Sequence, residues 1–277
     1  MSNKKVWFVT GCSKGMGKAL VEELIAQGYP VAGTDRNKET LEKSIGVESD
    51  IFLPLSMNLK DEMDVKNAIA LATEKFGRID VIVNNAGFTH LATIEEMSDA
   101  DAREEFDINV FGMLNVIRNV LPQMRTQGCG HIFNVSSLGA YNVGPLSGIY
   151  CATKHAVKAI SETLAQEVKA FNIHVTDVKP GFMRTEFFGP SHKTTAPKDS
   201  SYKHLYDENM EFYMGQNGNQ AGDPKKAAKL YIKVAEMAEP YKSLPMGTDS
   251  CDDIRDICEG TVKLMDEMRS VAETTNF

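Results

Sequence analysis

The feature that most constrains this chain is a repeated alternation of short apolar runs with stretches of helical spacing. Val6 to Thr10 is an apolar run, and Lys18 to Gln27 follows with Ala19, Leu20, Leu24 and Ile25 on one helical face. The same alternation continues through Val31–Thr34, Ile51–Met57, Glu62–Phe76, Ile79–Val83, Asp99–Arg125, Gly130–Val135, Tyr150–Phe171 and Ile173–Val178. Short apolar runs bounded by turn residues read as buried strands, and spacing of three and four reads as amphipathic helix. Strands alternating with helices predict βαβ units and an α/β fold. Right-handed crossovers then give a doubly wound parallel sheet with helices on both faces. After Gly181 the rhythm fails, and Phe182 to Asp223 reads as a polar, aromatic, irregular stretch with no clear strand. Pro224–Ala238 reads as helix, Ser243–Met246 as a last short strand and Asp249–Glu273 as a terminal helix. No repeat or linker interrupts the 277 residues, so one domain is expected over 1–277.

Composition excludes several classes. Hydrophobic residues make up 42% and charged residues 25%, which fits a globular chain rather than a disordered one. The net charge of −8 argues against nucleic acid or an anionic membrane as partner. No apolar run approaches the ~18 residues of a span. Residues 1–5 are polar and Val6 opens a strand, which leaves no room for a signal peptide. Cys12, Cys129, Cys151, Cys251 and Cys258 show neither paired nor metal spacing, and the six histidines are scattered. Reduced thiols in a cytoplasm and no metal site are the expectation.

Two constellations carry chemistry. The turn Thr10-Gly11-Cys12-Ser13-Lys14-Gly15-Met16-Gly17 joins the first strand to the first helix. Glycines there permit a tight turn and close approach of backbone to a pyrophosphate, at a helix end whose free N–H groups and dipole favour anions. Asp35 ends the next strand eighteen residues after Gly17, close to the ~20 expected of a ribose-binding carboxylate in a dinucleotide fold. The second constellation is Ser137 at a strand end with Tyr150 and Lys154 four residues apart on one helix face. An ammonium near a phenol favours the phenolate, which brings an acid/base closer to neutral pH. Taken alone, Y-x-x-x-K is most often a solvated helix face, Asn109 a helix polar residue, and Asn84 and Asn85 turn formers.

Together these residues resemble the short-chain dehydrogenase/reductase family, from Val6 to about Thr185. Thr10–Gly17 is similar to that family's cofactor turn, Asn84-Asn85-Ala86-Gly87 to its strand-end motif, and Asn109, Ser137, Tyr150 and Lys154 to its catalytic tetrad. Pro180-Gly181 through Thr185 is similar to the segment that meets the nicotinamide. At Asn58-Leu59 the chain departs from the family's usual Asp before an apolar residue at the adenine. The resemblance implies a Rossmann-type NAD(P)-binding fold and hydride transfer between a nicotinamide cofactor and a carbonyl or secondary alcohol. Tyr150 would be acid/base, Ser137 would bind the substrate oxygen, Lys154 would lower the Tyr pKa and bind ribose, and Asn109 would hold a relay water. The cofactor contacts implied are Gly11, Ser13, Lys14, Gly15, Met16, Asp35, Arg36, Asn58, Leu59, Asn85, Ala86, Gly87, Tyr150, Lys154, Pro180, Gly181 and Thr185. Asp35 favours NAD, since a carboxylate repels a 2′-phosphate, whereas Lys14 and Arg36 are placed as in relatives that use NADP. Ser147 to Lys154 looks like the branch labelled 17β-hydroxysteroid-dehydrogenase-like, and a homodimer or homotetramer is implied. The aromatic stretch 182–223 reads either as a lid over a hydrophobic substrate or as a small satellite core. A nucleotide-sensing binding protein without turnover is the alternative on the same fold. Nucleotide-sugar chemistry fits less, because G-x-x-G-x-x-G and a large C-terminal substrate domain are absent.

Overall fold

The fold is taken from a computed structural model that describes residues 4–46, 49–189 and 192–277. The N-terminal half builds β1 (Trp7–Thr10), α1 (Gly15–Ala26), β2 (Val31–Asp35), α2 (Lys38–Ile45), β3 (Phe52–Ser56), α3 (Glu62–Phe76), β4 (Val81–Asn84) and a two-residue strand β5 (His90–Leu91). Next come α4 (Asp99–Phe106), a π-helical segment (Asp107–Gly112), α5 (Met113–Gln127), β6 (Gly130–Val135), α6 (Gly148–Glu167) and β7 (Ile173–Pro180). The chain ends with β8 (Lys193–Thr194), α7 (Lys203–Gln216), α8 (Pro224–Ala235), β9 (Ser243–Met246) and α9 (Thr248–Glu273).

Seven strands form one sheet in the order β3-β2-β1-β4-β6-β7-β9, and every pairing is parallel. Strand order reverses between β1 and β4, which opens a crevice at their carboxyl ends. Each face of the sheet has its own core. On one, Leu20, Leu24 and Leu41 pack with Ala228, Tyr231 and Ile232 of α8 against Trp7, Val31 and Phe133. On the other, Val65, Ile69, Val116, Val120 and Val157 pack against Phe8, Ile82 and Ile132. Helix starts are fixed by side-chain caps: Asn37 accepts from the Thr40 amide at 2.7 Å, Asp61 from the Met63 amide at 2.9 Å, and Asp223 from the Lys225 amide at 2.8 Å. Thus the doubly wound α/β arrangement read from the sequence is the arrangement observed.

Four elements were not expected: α2, β5, β8 and α7. The stretch Phe182–Asp223 holds a helix, α7, and a strand, β8, that pairs parallel with β5. Positions 190 and 191 of that stretch lie outside the described residues. Tyr206, Met210, Tyr213 and Met214 share one face of α7 and pack with Leu91, Leu146 and Phe188 in a third, small core. The helical period was present there, diluted by charged residues on the outer face. The eight-residue α2, between Asp35 and the third strand, buries only Leu41 and Ile45, too few positions to show a period. Beyond Ile257, α9 runs exposed, with Val262, Leu264, Met265, Met268 and Val271 each 45–61% accessible. No helix among the described residues is long and apolar enough to cross a membrane.

Phe133 is fully buried at the centre of the sheet, 5.2 Å from the Tyr231 ring and stacked on Trp7 at 6.3 Å. Phe133→Ala should therefore cost about 3–5 kcal/mol in denaturant unfolding. A loss under about 1 kcal/mol would show that the aromatic stack closes over the cavity without strain.

Candidate active site

The expected site residues gather at the carboxyl edge of the sheet. The glycine-rich turn leaves β1 with Gly11 at φ +70° and Gly15 at φ +60°, a region that L side chains rarely adopt. A Cβ on Gly11 would meet Ala86 Cα at 2.9 Å, and one on Gly17 would strike the Gly11 carbonyl. So the turn packs directly on the strand-end motif after β4. Thr10 and Asn85 lock the two together. The Asn85 and Ala86 amides both donate to Thr10 Oγ1 at 3.0 Å, and Asn85 Nδ2 donates to the carbonyls of Thr10 at 2.9 Å and Gly11 at 3.1 Å. Asn85 is thus a brace of the turn, and Thr10 is a site residue whose hydroxyl the sequence reading passed over.

At the start of α1, Lys14 makes no side-chain cap. The first-turn amides of that helix, Gly15 and Met16 among them, face the turn and suit an anion by charge and geometry. Asp35 ends β2 beside them, accepting from the Ser13 amide at 3.2 Å and from the Arg36 amide at 2.7 Å. Asn58 accepts from the Lys60 amide at 3.2 Å, and Leu59 lies against Gly112, whose Cβ would meet Leu59 Cβ at 2.8 Å. On the far side, Gly181 follows β7, with its amide on the Met246 carbonyl at 2.9 Å. Thr185 reaches back to the turn: a Cβ on Gly15 would sit 3.5 Å from Thr185 Cβ. Together these make a cradle whose turn admits only glycine at 11 and 17, with acceptors at the Asp35 end and a Pro-Gly-Thr strap at the other. That is a fit to a dinucleotide.

The second constellation adjoins the strap. Ser137 follows β6 in extended backbone, and its Oγ accepts from the Gly139 amide at 3.0 Å. Tyr150 lies in the first turn of α6, close enough to Ser137 for that hydroxyl to pull the phenol's pKa down. Lys154 is buried and donates to the Val135 carbonyl at 2.8 Å, with Nζ 5.6 Å from the Tyr150 ring centroid. Asn109 lies in the π-helical segment, where its Nδ2 donates to the Phe88 carbonyl at 2.9 Å and to Thr153 Oγ1 at 3.1 Å. Gly87 sits between them; a Cβ there would be 3.1 Å from Asn109 Oδ1 and 3.5 Å from Lys154 Nζ. The four residues expected to act together therefore meet, with Gly87 closely packed between two of them.

Burial pushes the Tyr150 phenol well above its usual value, and the neighbouring Ser137 hydroxyl acts against that rise. The Lys154 ammonium is directed at the Val135 carbonyl. Burial in turn depresses Lys154 to about 8, opposed by Glu105 and Asp177. Glu105 was missed at the sequence level. It sits in the acidic run Glu104-Glu105, which reads as solvated surface, yet its side chain is fully buried. Phe187 completes the site, with its ring 5.7 Å from that of Tyr150. Among the described residues no group of three His, Cys, Asp or Glu is placed to hold a metal.

Comparison with known proteins agrees with this geometry. A solved structure described as a short-chain dehydrogenase from Streptomyces avermitilis superposes with a TM-score of 0.90 at 32% identity, covering 100% of both chains. Oxidoreductase BOA17 of Botryotinia fuckeliana (strain B05.10) is 34% identical over 249 residues, 90% of each chain. A 3-ketodihydrosphingosine reductase of Bacteroides thetaiotaomicron is 34% identical over 183 residues, 66% of this chain and 65% of the relative. The profile of the family described as short chain dehydrogenase matches residues 5–196, and with the glycine-rich turn and the Ser137–Tyr150–Lys154 cluster in place, the chain belongs to that family of oxidoreductases.

Proposed function

We propose that this chain moves a hydride between a nicotinamide dinucleotide and a carbonyl or secondary alcohol with an apolar body. The observation that carries the proposal is the meeting of Ser137, Tyr150 and Lys154 beside a glycine cradle whose helix start lacks a side-chain cap. Gly11, Ser13, Lys14, Gly15 and Met16 would hold the pyrophosphate, Asp35 and Arg36 the adenosine ribose, and Asn58 and Leu59 the adenine. Asn85, Ala86 and Gly87 would wall the crevice, and Pro180, Gly181 and Thr185 would meet the nicotinamide end. When bound, the dinucleotide supplies or accepts the hydride. The rest falls to the chain. In reduction, Tyr150 gives its hydroxyl proton to the substrate oxygen while Ser137 holds that oxygen in place. Lys154 binds ribose hydroxyls and keeps positive charge near the phenol, and Asn109 fixes the surrounding loop.

An apolar substrate is favoured by Phe187 at Tyr150 and by Phe188 and Phe182, whose rings lie 6.2 Å apart, with Phe212 5.4 Å from Tyr213. We read 182–223 as a lid in which Phe188, Tyr206 and Tyr213 form the supporting core and Phe187 faces the substrate. The relative named as a 3-ketodihydrosphingosine reductase is consistent with a ketone on a long apolar body. In the same reading the chain is one domain, cytoplasmic, and a homodimer or homotetramer, for which the exposed apolar side chains of α9 give a reason.

Asp35 tilts the choice toward NAD, because its carboxylate lies over Ser13 at the turn. A like charge at ~4 Å costs ~1 kcal/mol in water and more where solvent is thin. Asp35→Ala should move the ratio of kcat/KM toward NADP by ~10-fold, about 1.4 kcal/mol; an unmoved ratio would place Asp35 away from the ribose.

Tyr150→Phe keeps the ring and its contact with Phe187 and removes only the proton. Turnover should fall by ~10²–10⁴ while dinucleotide affinity stays nearly constant. Retention of more than about a tenth of the activity would remove Tyr150 as proton donor.

Burial of Lys154 also has a stability signature. Its value falls from 10.5 to about 8 on folding, so the unfolded chain binds more protons between those values and stability rises with pH across that window. Lys154→Met has no such slope. Its stability relative to the parent should fall by up to ~3 kcal/mol between about pH 8 and pH 10.5, read by denaturant unfolding at several pH values. A difference that does not change with pH would mean that Lys154 is not titrating in the buried site.

A further inference from the structure

We infer, resting on the dinucleotide reading above, that Asp249 is a positioning residue for the nicotinamide end of the cofactor. From the first turn of α9 its carboxylate holds the root of the Pro180–Thr185 strap. An acidic residue in a first helical turn ordinarily just answers the positive end of the helix dipole, and Asp249 stands at such a place. Its side chain also reaches another segment. Asp249 Oδ2 accepts from the Phe182 amide at 2.7 Å, across 67 residues of chain. Phe182 follows Pro180-Gly181 directly, so the bond falls where the strap leaves β7. A carboxylate accepting from an amide at that length makes a charge-assisted bond, about twice as strong as a neutral one.

The backbone around this carboxylate is shaped to admit it. A Cβ on Gly181 would strike both carboxylate oxygens of Asp249, and the three atoms nearest to such a Cβ all belong to Asp249. Gly181 is not in left-handed backbone, so the conformation there makes no demand for glycine. The close approach of Asp249 does. On the other side, a Cβ on Gly247 would strike Asp249 Oδ1. Gly247, at φ +100°, also makes the turn from β9 into α9 that brings Asp249 under the strap. Two glycines from separate segments therefore leave room for one short acidic side chain.

What the bond fixes follows from its neighbours. The Gly181 amide donates to the Met246 carbonyl at 2.9 Å, and the Phe182 carbonyl accepts from the Gly222 amide at 3.0 Å. With Asp249 on its N–H and Gly222 on its C=O, Phe182 has both backbone groups pinned. One residue along α9, Ser250 is fully buried and donates to the Lys179 carbonyl at 2.7 Å. The first turn of α9 thus grips the chain on either side of Pro180-Gly181. Three residues past Phe182, Thr185 faces the glycine-rich turn, where a Cβ on Gly15 would be 3.5 Å from Thr185 Cβ. Two residues further, the Phe187 ring reaches Tyr150 at 5.7 Å. Without the carboxylate the Phe182 amide loses its acceptor and the strap is loosened at its root. The adenosine end keeps its own bonds, Asp35 to the Ser13 amide and Thr10 to Asn85.

Two ligands that differ only at the nicotinamide end separate positioning from general loosening, and neither needs turnover. NADH carries the ring, and ADP-ribose ends at the ribose that would bear it. Dissociation constants for both are measured by calorimetry on the parent, Asp249→Ala and Asp249→Asn; if the parent selects the phosphorylated cofactor, NADPH and 2′-phospho-ADP-ribose form the pair. The parent should bind NADH more tightly than ADP-ribose. In Asp249→Ala the constant for NADH should rise ~10-fold, as expected for loss of one charge-assisted bond. The constant for ADP-ribose should stay within about twofold, since its contacts are distant from Asp249. Asp249→Asn keeps an oxygen for the Phe182 amide without the charge, and should fall between the two. Should the Ala variant not fold, the Asn variant decides: a selective loss for NADH supports the role, and an unchanged constant overturns it. Equal weakening of both ligands would make Asp249 a residue of the fold only, and that result overturns the inference, as does an unchanged NADH constant in folded Asp249→Ala. A parent that binds the two ligands equally overturns it with the dinucleotide reading intact, whereas a parent that binds neither overturns both.

Discussion

The site depends on one buried hydrogen bond, from the Lys154 ammonium to the Val135 carbonyl at 2.8 Å. Val135 is the last residue of β6, where the sheet's own ladder stops. A lysine reaching that carbonyl ties the middle of α6 to the end of a central strand. The tie fixes the rotation of α6, and with it the first turn that carries Tyr150. Ser137, two residues past Val135, is thereby held opposite the phenol. Burying a cation this deeply works against folding, and buried carboxyls on either side, Glu105 and Asp177, offset part of it.

A second constraint places the cofactor cradle against this pair. Thr10 and Asn85 join β1 to β4 at the point where strand order reverses. Their hydrogen bonds replace ladder bonds that end as the strands splay, so the crevice stays open while its walls remain fixed. Glycines at 11 and 17 then let backbone approach where any side chain would collide, and Gly87 keeps the space beside Asn109 and Lys154 tight. The rigid part of the site is thus built from strand ends, and the variable part from the segment after β7. Aromatic rings there reach Tyr150 through Phe187 and rest on the small core beneath α7.

Much of this was legible in the sequence because the signals are local. Periods of two kinds mark strands and helices, and the glycine turn, Asp35 and the Tyr150–Lys154 spacing each sit within one element or at its end. What was not legible depends on contacts between distant segments. Glu105 looks like solvated surface beside Glu104, and only the packing of α4 on α6 buries it. The phenol's upward shift arises from the desolvation that the assembled site imposes, which a four-residue spacing does not report. In α7, Tyr206, Met210 and Tyr213 have helical spacing, but their partners Leu91 and Leu146 lie more than fifty residues away in the chain. The heptad-like apolar residues of α9 were read correctly as helix, while their exposure could not be anticipated, since amphipathic spacing normally signals a buried face.

The most direct test of the account follows the hydride itself. Reduced dinucleotide carrying deuterium at the transferable position of the nicotinamide is incubated with a panel of apolar ketones, and the alcohol products are weighed by mass spectrometry. The account predicts one deuterium on the carbinol carbon with the parent protein, and labelled product formed at least ~10²-fold more slowly with Tyr150→Phe. Tight dinucleotide binding with no label passed to any ketone, or an alcohol whose carbon-bound hydrogen comes from solvent, would contradict it.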